Sequence, residues 1–169
     1  KESDAPYYRA RILELLENKS LKDIAIAPDS SIVINKAAVK IDRENHQVVL
    51  DDNSVVSYDK LILAVGSNAN TLKVNSDKVI AIRSVSDVRR LQEMLKSAKS
   101  VAVLGGGLQG LEAAVKIHDA SGLRVSVIDR SSWVLSRQFL QPEGELLSQM
   151  LAQLGIDVLT NAGDVSVED

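Results

Sequence analysis

The chain has 169 residues, of which 45% are hydrophobic and 3% aromatic, and its formal net charge is −3. Such a composition builds its core from Leu, Ile, Val and Ala, as α/β layers do, and the length suits one domain or two small ones. The negative balance, with Arg89 and Arg90 as the only adjacent basic pair, argues against a nucleic-acid surface, which needs clustered Lys and Arg. The absence of cysteine excludes a disulfide framework, a thiolate metal site and a redox dithiol within this sequence, and two histidines, His46 and His118, are too few for a histidine metal site. No apolar run approaches the roughly 18 residues that a membrane span requires. The charged, polar first residues do not resemble a signal peptide, so a cytoplasmic location is expected.

Residues 1–5 read as a ragged start, and Ile12, Leu13, Leu15 and Leu16 then make a short amphipathic helix that stops by residues 18–20. Residues 31–34, 38–41, 47–50 and 55–57 read as short strands, separated by turn-forming residues at 42–46 and 51–53. Their spacing predicts an antiparallel meander, with His46 solvated in one of its turns. Residues 58–66 differ, because a nearly continuous apolar run ending in Gly66 is the pattern of a strand covered on both faces.

A linker is expected over about residues 67–82, followed by a helix with Ser86 as N-cap and Val88, Leu91 and Leu95 on its inner face. Residues 101–104 are an apolar strand that runs straight into Gly105, Gly107 and Gly110. A helix then extends to Gly122, with His118 at a buried or edge position on it. The next strand, 125–128, closes on Asp129. Pro142 opens another helix, expected to turn Leu146, Leu147, Met150, Leu151 and Leu154 inward, and Gly155 ends it before a strand at 156–159. The fold class expected is therefore α/β: a Rossmann-like βαβαβ unit with parallel strands, preceded by an antiparallel meander.

The stretch from Val101 to Asp129 is where the sequence declares a chemistry. In a strand–glycine turn–helix unit the first Gly permits the turn, the second lets backbone approach a pyrophosphate, and the third lets helix and strand pack closely. Leu108 and Gln109, at the helix start, offer backbone N–H groups to a phosphate at the positive end of the helix dipole. Asp129 lies 19 positions after Gly110, where such a unit places the acid that accepts from the adenosine ribose. A carboxylate there repels a 2′-phosphate, so NADH is expected over NADPH. The adjacent Arg130 offsets part of that repulsion. A Gly-rich turn that merely packs a helix on a sheet is the plainer alternative.

Two motifs together resemble one family. Residues 58–67, ending in Ala64, Val65, Gly66 and Ser67, resemble the second flavin-side motif of pyridine-nucleotide-dependent flavoprotein oxidoreductases. The glycine loop from Gly105 to Glu112, about forty residues further on, is similar to their inserted NAD(P)H domain. Arg137, Gln138 and the helix of Leu146 and Leu147 resemble the branch of NADH-dependent nitrite reductases and rubredoxin reductases. The segment Pro6, Tyr7, Tyr8, Arg9 is similar to that branch's Tyr-x-Arg segment beside the flavin.

The resemblance implies an internal fragment. Residues 1–82 would be the C-terminal part of an FAD-type domain with its linker, and residues 83–169 the N-terminal part of the nucleotide domain. It implies FAD contacts at Arg9, Ala64, Val65 and Gly66, hydride transfer from NADH to FAD, and an electron acceptor chosen by residues elsewhere. Glu112 is the position that approaches the nicotinamide in the family; as a first-turn acid it also stabilises the helix dipole.

Some residues depart from the family pattern. Val65 stands for a Thr, Ala69 for a Pro, and Leu13 with Glu14 for a Ser-Lys pair near the flavin. These changes leave a second function open, a non-catalytic or regulatory nucleotide-binding module whose flavin site has decayed. For the two half-domains, one combined sheet and an edge-paired homodimer are both open.

Overall fold

The computed structural model describes residues 7–26, 34–67 and 76–167. Packing divides them into two compact units, one of residues 26 and 34–67, the other of residues 7–25 and 76–167. No helix among the described residues is long and apolar enough to cross a membrane.

The smaller unit is the expected meander. Strands β1 (Ala38–Asp42), β2 (Gln47–Leu50) and β3 (Val55–Ser57) pair antiparallel in the order β1-β2-β3. The first turn is built by Asp42, whose carboxylate accepts from the backbone N–H groups of Glu44 and Asn45 at 3.2 and 3.1 Å. This Asx geometry carries the chain into His46 at φ 51°. His46 is exposed, as expected, and its ring stacks on Tyr58 with centroids 5.5 Å apart. Of the strand expected at 31–34, residues 31–33 lie outside the described residues, and Ile34 belongs to no strand.

The buried strand expected at 58–66 is not formed. These residues make no ladder, and Ile62 and Leu63 are 87% and 64% exposed. Apolar content favours a strand only where sheet neighbours and covering layers exist. Among the described residues of this unit none supplies them.

In the larger unit a 3₁₀ helix, Arg9–Glu17, buries Ile12, Leu13, Leu15 and Leu16. After Asn18, which turns through φ 63°, comes α1 (Leu21–Ile24), one turn whose Ile24 is fully buried. The 3₁₀ helix packs on α2 (Val85–Leu95) and α3 (Leu108–Ser121). Gln92 Nε2 donates to the Leu15 carbonyl at 2.8 Å, and Lys116 pairs with Glu17. Packing therefore does not divide the chain at residues 82 and 83, because the first helix needs the apolar faces of α2 and α3 for its own burial.

The N-cap of α2 is Ser84 rather than Ser86. Ser84 Oγ accepts from the Asp87 N–H at 3.3 Å, and Asp87 Oδ2 accepts from the Ser84 N–H at 2.8 Å. This is a reciprocal capping box, which Ser86 has no partner to make.

The parallel sheet follows, with β4 (Ser100–Leu104), β5 (Arg124–Ile128) and β6 (Ile156–Leu159) in the order β4-β5-β6. The α3 helix and α4 (Gln141–Gln153) make the two crossovers. Register aligns Val101 with Val125 and Ile156, and Val103 with Val127 and Val158, so one face carries a continuous apolar band. On it Val125 and Val127 are fully buried and Ile156 nearly so, whereas Leu104 and Leu159 on the opposite face are exposed. Gly122 caps α3 at φ 65°, its N–H donating to the His118 carbonyl at 2.8 Å. His118 is half-buried. Among the described residues the strands form two separate sheets of three strands each.

On α4 only Leu151 and Gly144 are buried, with Leu147 half-buried; Leu146, Met150 and Leu154, expected inward, are 53–57% exposed. The helix covers the edge strand β6, so its buried face is narrower than its apolar stripe. Gly144 is obligatory there, since a Cβ would lie 2.4 Å from Trp133 Cδ1.

The 3₁₀ helix also carries a pH-sensitive contact. Glu14 accepts from Arg11 Nε at 2.7 Å and from Lys19 Nζ at 2.8 Å, and these cations hold its carboxyl at about 2 against the ordinary 4.5. A depressed carboxyl contributes stability above its unfolded pKa and loses it as pH falls through the folded one. We expect Glu14→Gln to flatten the fall in stability between pH 4.5 and 2 in urea titrations; parallel acid limbs for the two proteins would contradict this.

Candidate nucleotide-binding site

The site lies at the carboxyl ends of β4 and β5, where open parallel sheets bind ligands. Gly105 leaves β4 at φ 111°, a conformation for glycine, and its N–H extends the β4–β5 pairing by donating to the Ile128 carbonyl at 2.8 Å. Gly107 is the N-cap of α3, and a Cβ there would meet no atom within 4 Å. Gly110 is the opposite case: a Cβ would stand 1.9 Å from the Gly105 carbonyl oxygen. Gly105 thus makes the turn, Gly110 allows helix and strand to pack closely, and Gly107 leaves open space at the start of α3.

The first α-helical hydrogen bond here runs from the Leu111 N–H to the Gly107 carbonyl at 3.0 Å. The N–H groups of Leu108, Gln109 and Gly110 therefore have no acceptor within the helix, and Leu108 and Gln109 are exposed. They meet the requirement of a phosphate at the positive end of α3. Glu112 is half-buried in the first turn.

Asp129 follows β5 directly. Its Oδ1 accepts from the Ser131 N–H at 2.6 Å, and its Oδ2 accepts from the Gly106 N–H. Partial burial pushes this carboxyl upward, but the bonds from Ser131 and Gly106, with the charge of Arg130, outweigh it and leave the pKa lowered. Asp129 is therefore an anion at neutral pH. Each carboxylate oxygen keeps further accepting capacity, which two ribose hydroxyls can use. Arg130 is exposed beside it. The open space at Gly107, the unused α3 N–H groups and this carboxylate fit an adenine dinucleotide bound by pyrophosphate and ribose.

Sequence reasoning passes over Gly106, Ser131, Val134 and Leu135. A Cβ on Gly106 would lie 3.0 Å from both Asp129 Oδ2 and Val134 Cγ1, and the Leu135 N–H donates to its carbonyl at 2.8 Å. The available signal is the middle one of three consecutive glycines, since the dinucleotide pattern leaves that position open.

The flavin-side residues make a weaker case. Arg9 donates to the Arg83 carbonyl and lies over the Tyr7 ring, 5.7 Å from its centroid. Ala64, Val65 and Gly66 lie in the irregular exposed segment of the other unit, with Val65 89% exposed. Leu13 is buried, Glu14 is held by its two cations, and Ala69 is outside the described residues. Arg9 thus belongs to the larger unit and Ala64, Val65 and Gly66 to the smaller.

The model of the family described as pyridine nucleotide-disulphide oxidoreductase matches residues 7–169. The chain belongs to this family. The NADH-rubredoxin oxidoreductase of Clostridium acetobutylicum is 33% identical over 166 residues, covering 93% of this chain and 44% of the relative. Its crystal structure superposes with a TM-score of 0.83 at 32% identity, over 96% of this chain and 45% of that one. A nitrite reductase [NAD(P)H] of Bacillus subtilis is 38% identical over 128 residues, covering 74% of this chain and 16% of the relative. The chain thus spans less than half the length of these relatives. The family's description names a pyridine nucleotide, and the loop geometry fits an adenine dinucleotide; no cysteine of a redox disulphide occurs in this sequence.

Proposed function

We propose that this chain is the nucleotide-binding portion of a flavin-dependent NAD(P)H oxidoreductase and that it positions NADH for hydride transfer to FAD. The observation that carries the proposal is the junction of the Gly105–Gly110 backbone approach with the Asp129 carboxylate, which joins a phosphate site to a ribose site. The nicotinamide supplies the hydride, and the protein's part is binding and orientation. The N–H groups of Leu108, Gln109 and Gly110 hold the pyrophosphate. Asp129 accepts from the adenosine ribose, and Glu112 takes the carboxamide end. The relatives support the nucleotide half; their names carry both rubredoxin and nitrite, so likeness alone selects no acceptor.

Asp129 favours NADH by repelling a 2′-phosphate. Titration with both nucleotides tests this: NADH binds more tightly, and Asp129→Ala weakens NADH and narrows the gap. NADPH binding at least as tightly as NADH would overturn the preference. Nucleotide binding itself is read as a thermal shift, since ligand at 100 times its dissociation constant adds about 2.7 kcal/mol. No shift at millimolar NADH would remove the site.

A second reading, a nucleotide-binding module without flavin chemistry, is favoured by the exposed Val65 and by the engagement of Glu14 with Arg11 and Lys19. Reconstitution of the full-length protein with FAD separates the two: a yellow, NADH-oxidising protein rejects the module.

A further inference from the structure

Gly106 is buried, and the two peptide groups that flank its Cα are each held by the segment that follows β5. Its N–H donates to Asp129 Oδ2, and its C=O accepts from the Leu135 N–H at 2.8 Å. Leu135 reaches that position with φ at 53°, a left-handed conformation that a branched side chain adopts at a cost of roughly 1–3 kcal/mol. Its carbonyl closes the turn by accepting from the N–H groups of Gln138 and Phe139, both at 2.8 Å. Val134, fully buried, fills the space over the absent Gly106 side chain. The other Asp129 oxygen holds the Ser131 N–H, so one carboxylate ties the glycine loop to the start of the β5–α4 connection.

We propose that Asp129 is a positioning residue for the pyrophosphate loop, setting the Gly105–Gly107 backbone through Gly106 independently of any contact with the ribose. The proposal rests on the nucleotide reading of this site and adds a second role to the residue read there as a ribose acceptor. Because the backbone bonds are made by the protein alone, the loop is set before ligand arrives, which spares binding the cost of ordering it. Loss of the carboxylate therefore weakens the grip on phosphates as well as on ribose. The Leu135 bond holds the next peptide group, Gly106–Gly107, and limits the loop's drift when the first bond is cut.

A cycle of protein variant against ligand analogue separates the two roles. NADH and its 2′,3′-dideoxyadenosine analogue, which lacks the hydroxyls that Asp129 would hold, are titrated against the parent chain, Asp129→Ala and Asp129→Asn. We expect Asp129→Ala to weaken the dideoxy analogue about tenfold, the scale of one hydrogen bond to a charged group. Asn keeps one accepting oxygen and is expected to recover part of that loss. Hydrogen exchange in the absence of ligand should accelerate at the Gly106 amide in Asp129→Ala, while the Val125 and Val127 amides of β5 keep their protection. If the dideoxy analogue binds both variants as it binds the parent, with Gly106 exchange unchanged, the positioning role is overturned and the ribose role stands alone. If the parent chain binds neither nucleotide, the nucleotide reading fails instead; the Gly106 exchange still reports whether Asp129 orders the loop.

Discussion

Replacing Gly110 by alanine is expected to destabilise the larger unit by about 3 kcal/mol or more, at or above the upper range for overpacking, and to abolish measurable NADH binding. The added Cβ would stand 1.9 Å from the Gly105 carbonyl oxygen and 3.1 Å from its carbon. Both obstacles are backbone, so no rotamer change relieves them. The α3 helix must move away from β4, and its N–H groups move with it, off the line along which a pyrophosphate meets Gly107. Urea unfolding and NADH titration measure the two effects. Gly107→Ala is the control that separates packing from binding. Its backbone, φ −79° and ψ 173°, suits any residue, and a Cβ there meets nothing within 4 Å. We expect its stability to change by less than about 1 kcal/mol, the range for an N-cap glycine, while NADH affinity falls because the methyl group occupies the space of the phosphate. A Gly107→Ala protein that binds NADH normally would remove the phosphate from that position.

The contrast between these glycines explains why the loop is legible in the sequence. Each signal there is local: a β-branched strand, glycines at fixed offsets, and an acid at the end of the next strand. The meander and α3 are legible for the same reason, since alternation and capping act within a few residues. Sequence reasoning fails where the answer depends on a distant neighbour. Residues 58–66 have the composition of a buried strand, but composition cannot supply a sheet partner. Leu146, Met150 and Leu154 have helical spacing, but only contact with an edge strand decides which part of an apolar stripe is covered. Ser84 is a different failure. Its partner Asp87 lies three residues away, so the capping pattern stands complete in the sequence. Around the site, the bonds of Asp129 to Gly106 and Ser131 do not follow from spacing, which locates a carboxylate without saying what else it holds.

Deleting residues 7–25 is expected to leave the larger unit without a cooperative fold. The smaller unit follows this segment in sequence, so its place in the larger unit shows only in packing. Ile12, Leu13, Leu15, Leu16 and Ile24 are all buried, and burial of each such side chain contributes roughly 1.5–3 kcal/mol. Their combined contribution is about 8–15 kcal/mol, comparable with the entire net stability of a domain. The deletion would also uncover the apolar surfaces of α2 and α3 on which these residues rest, and strip the partners from Gln92 and Lys116. Ile24→Ala is the graded version. With Ile24 fully buried, truncation costs about 2–5 kcal/mol, the spread reflecting how far the site collapses. Circular dichroism and urea titration read both: loss of the transition in the deletion, and a midpoint shift at constant slope in Ile24→Ala. A deletion protein that unfolds with the parent's midpoint would show that β4–α3–β5–α4–β6 is sufficient alone. A folded deletion protein with a lower midpoint would instead locate residues 7–25 as a cover that strengthens the unit without defining it. The same measurement bears on the proposed dinucleotide site, because α3 carries the N–H groups proposed for the phosphate at one end and Lys116, the anchor for Glu17, two turns further along. If the 3₁₀ helix fixes the position of α3, NADH affinity falls with stability in Ile24→Ala, and added NADH restores part of the lost midpoint.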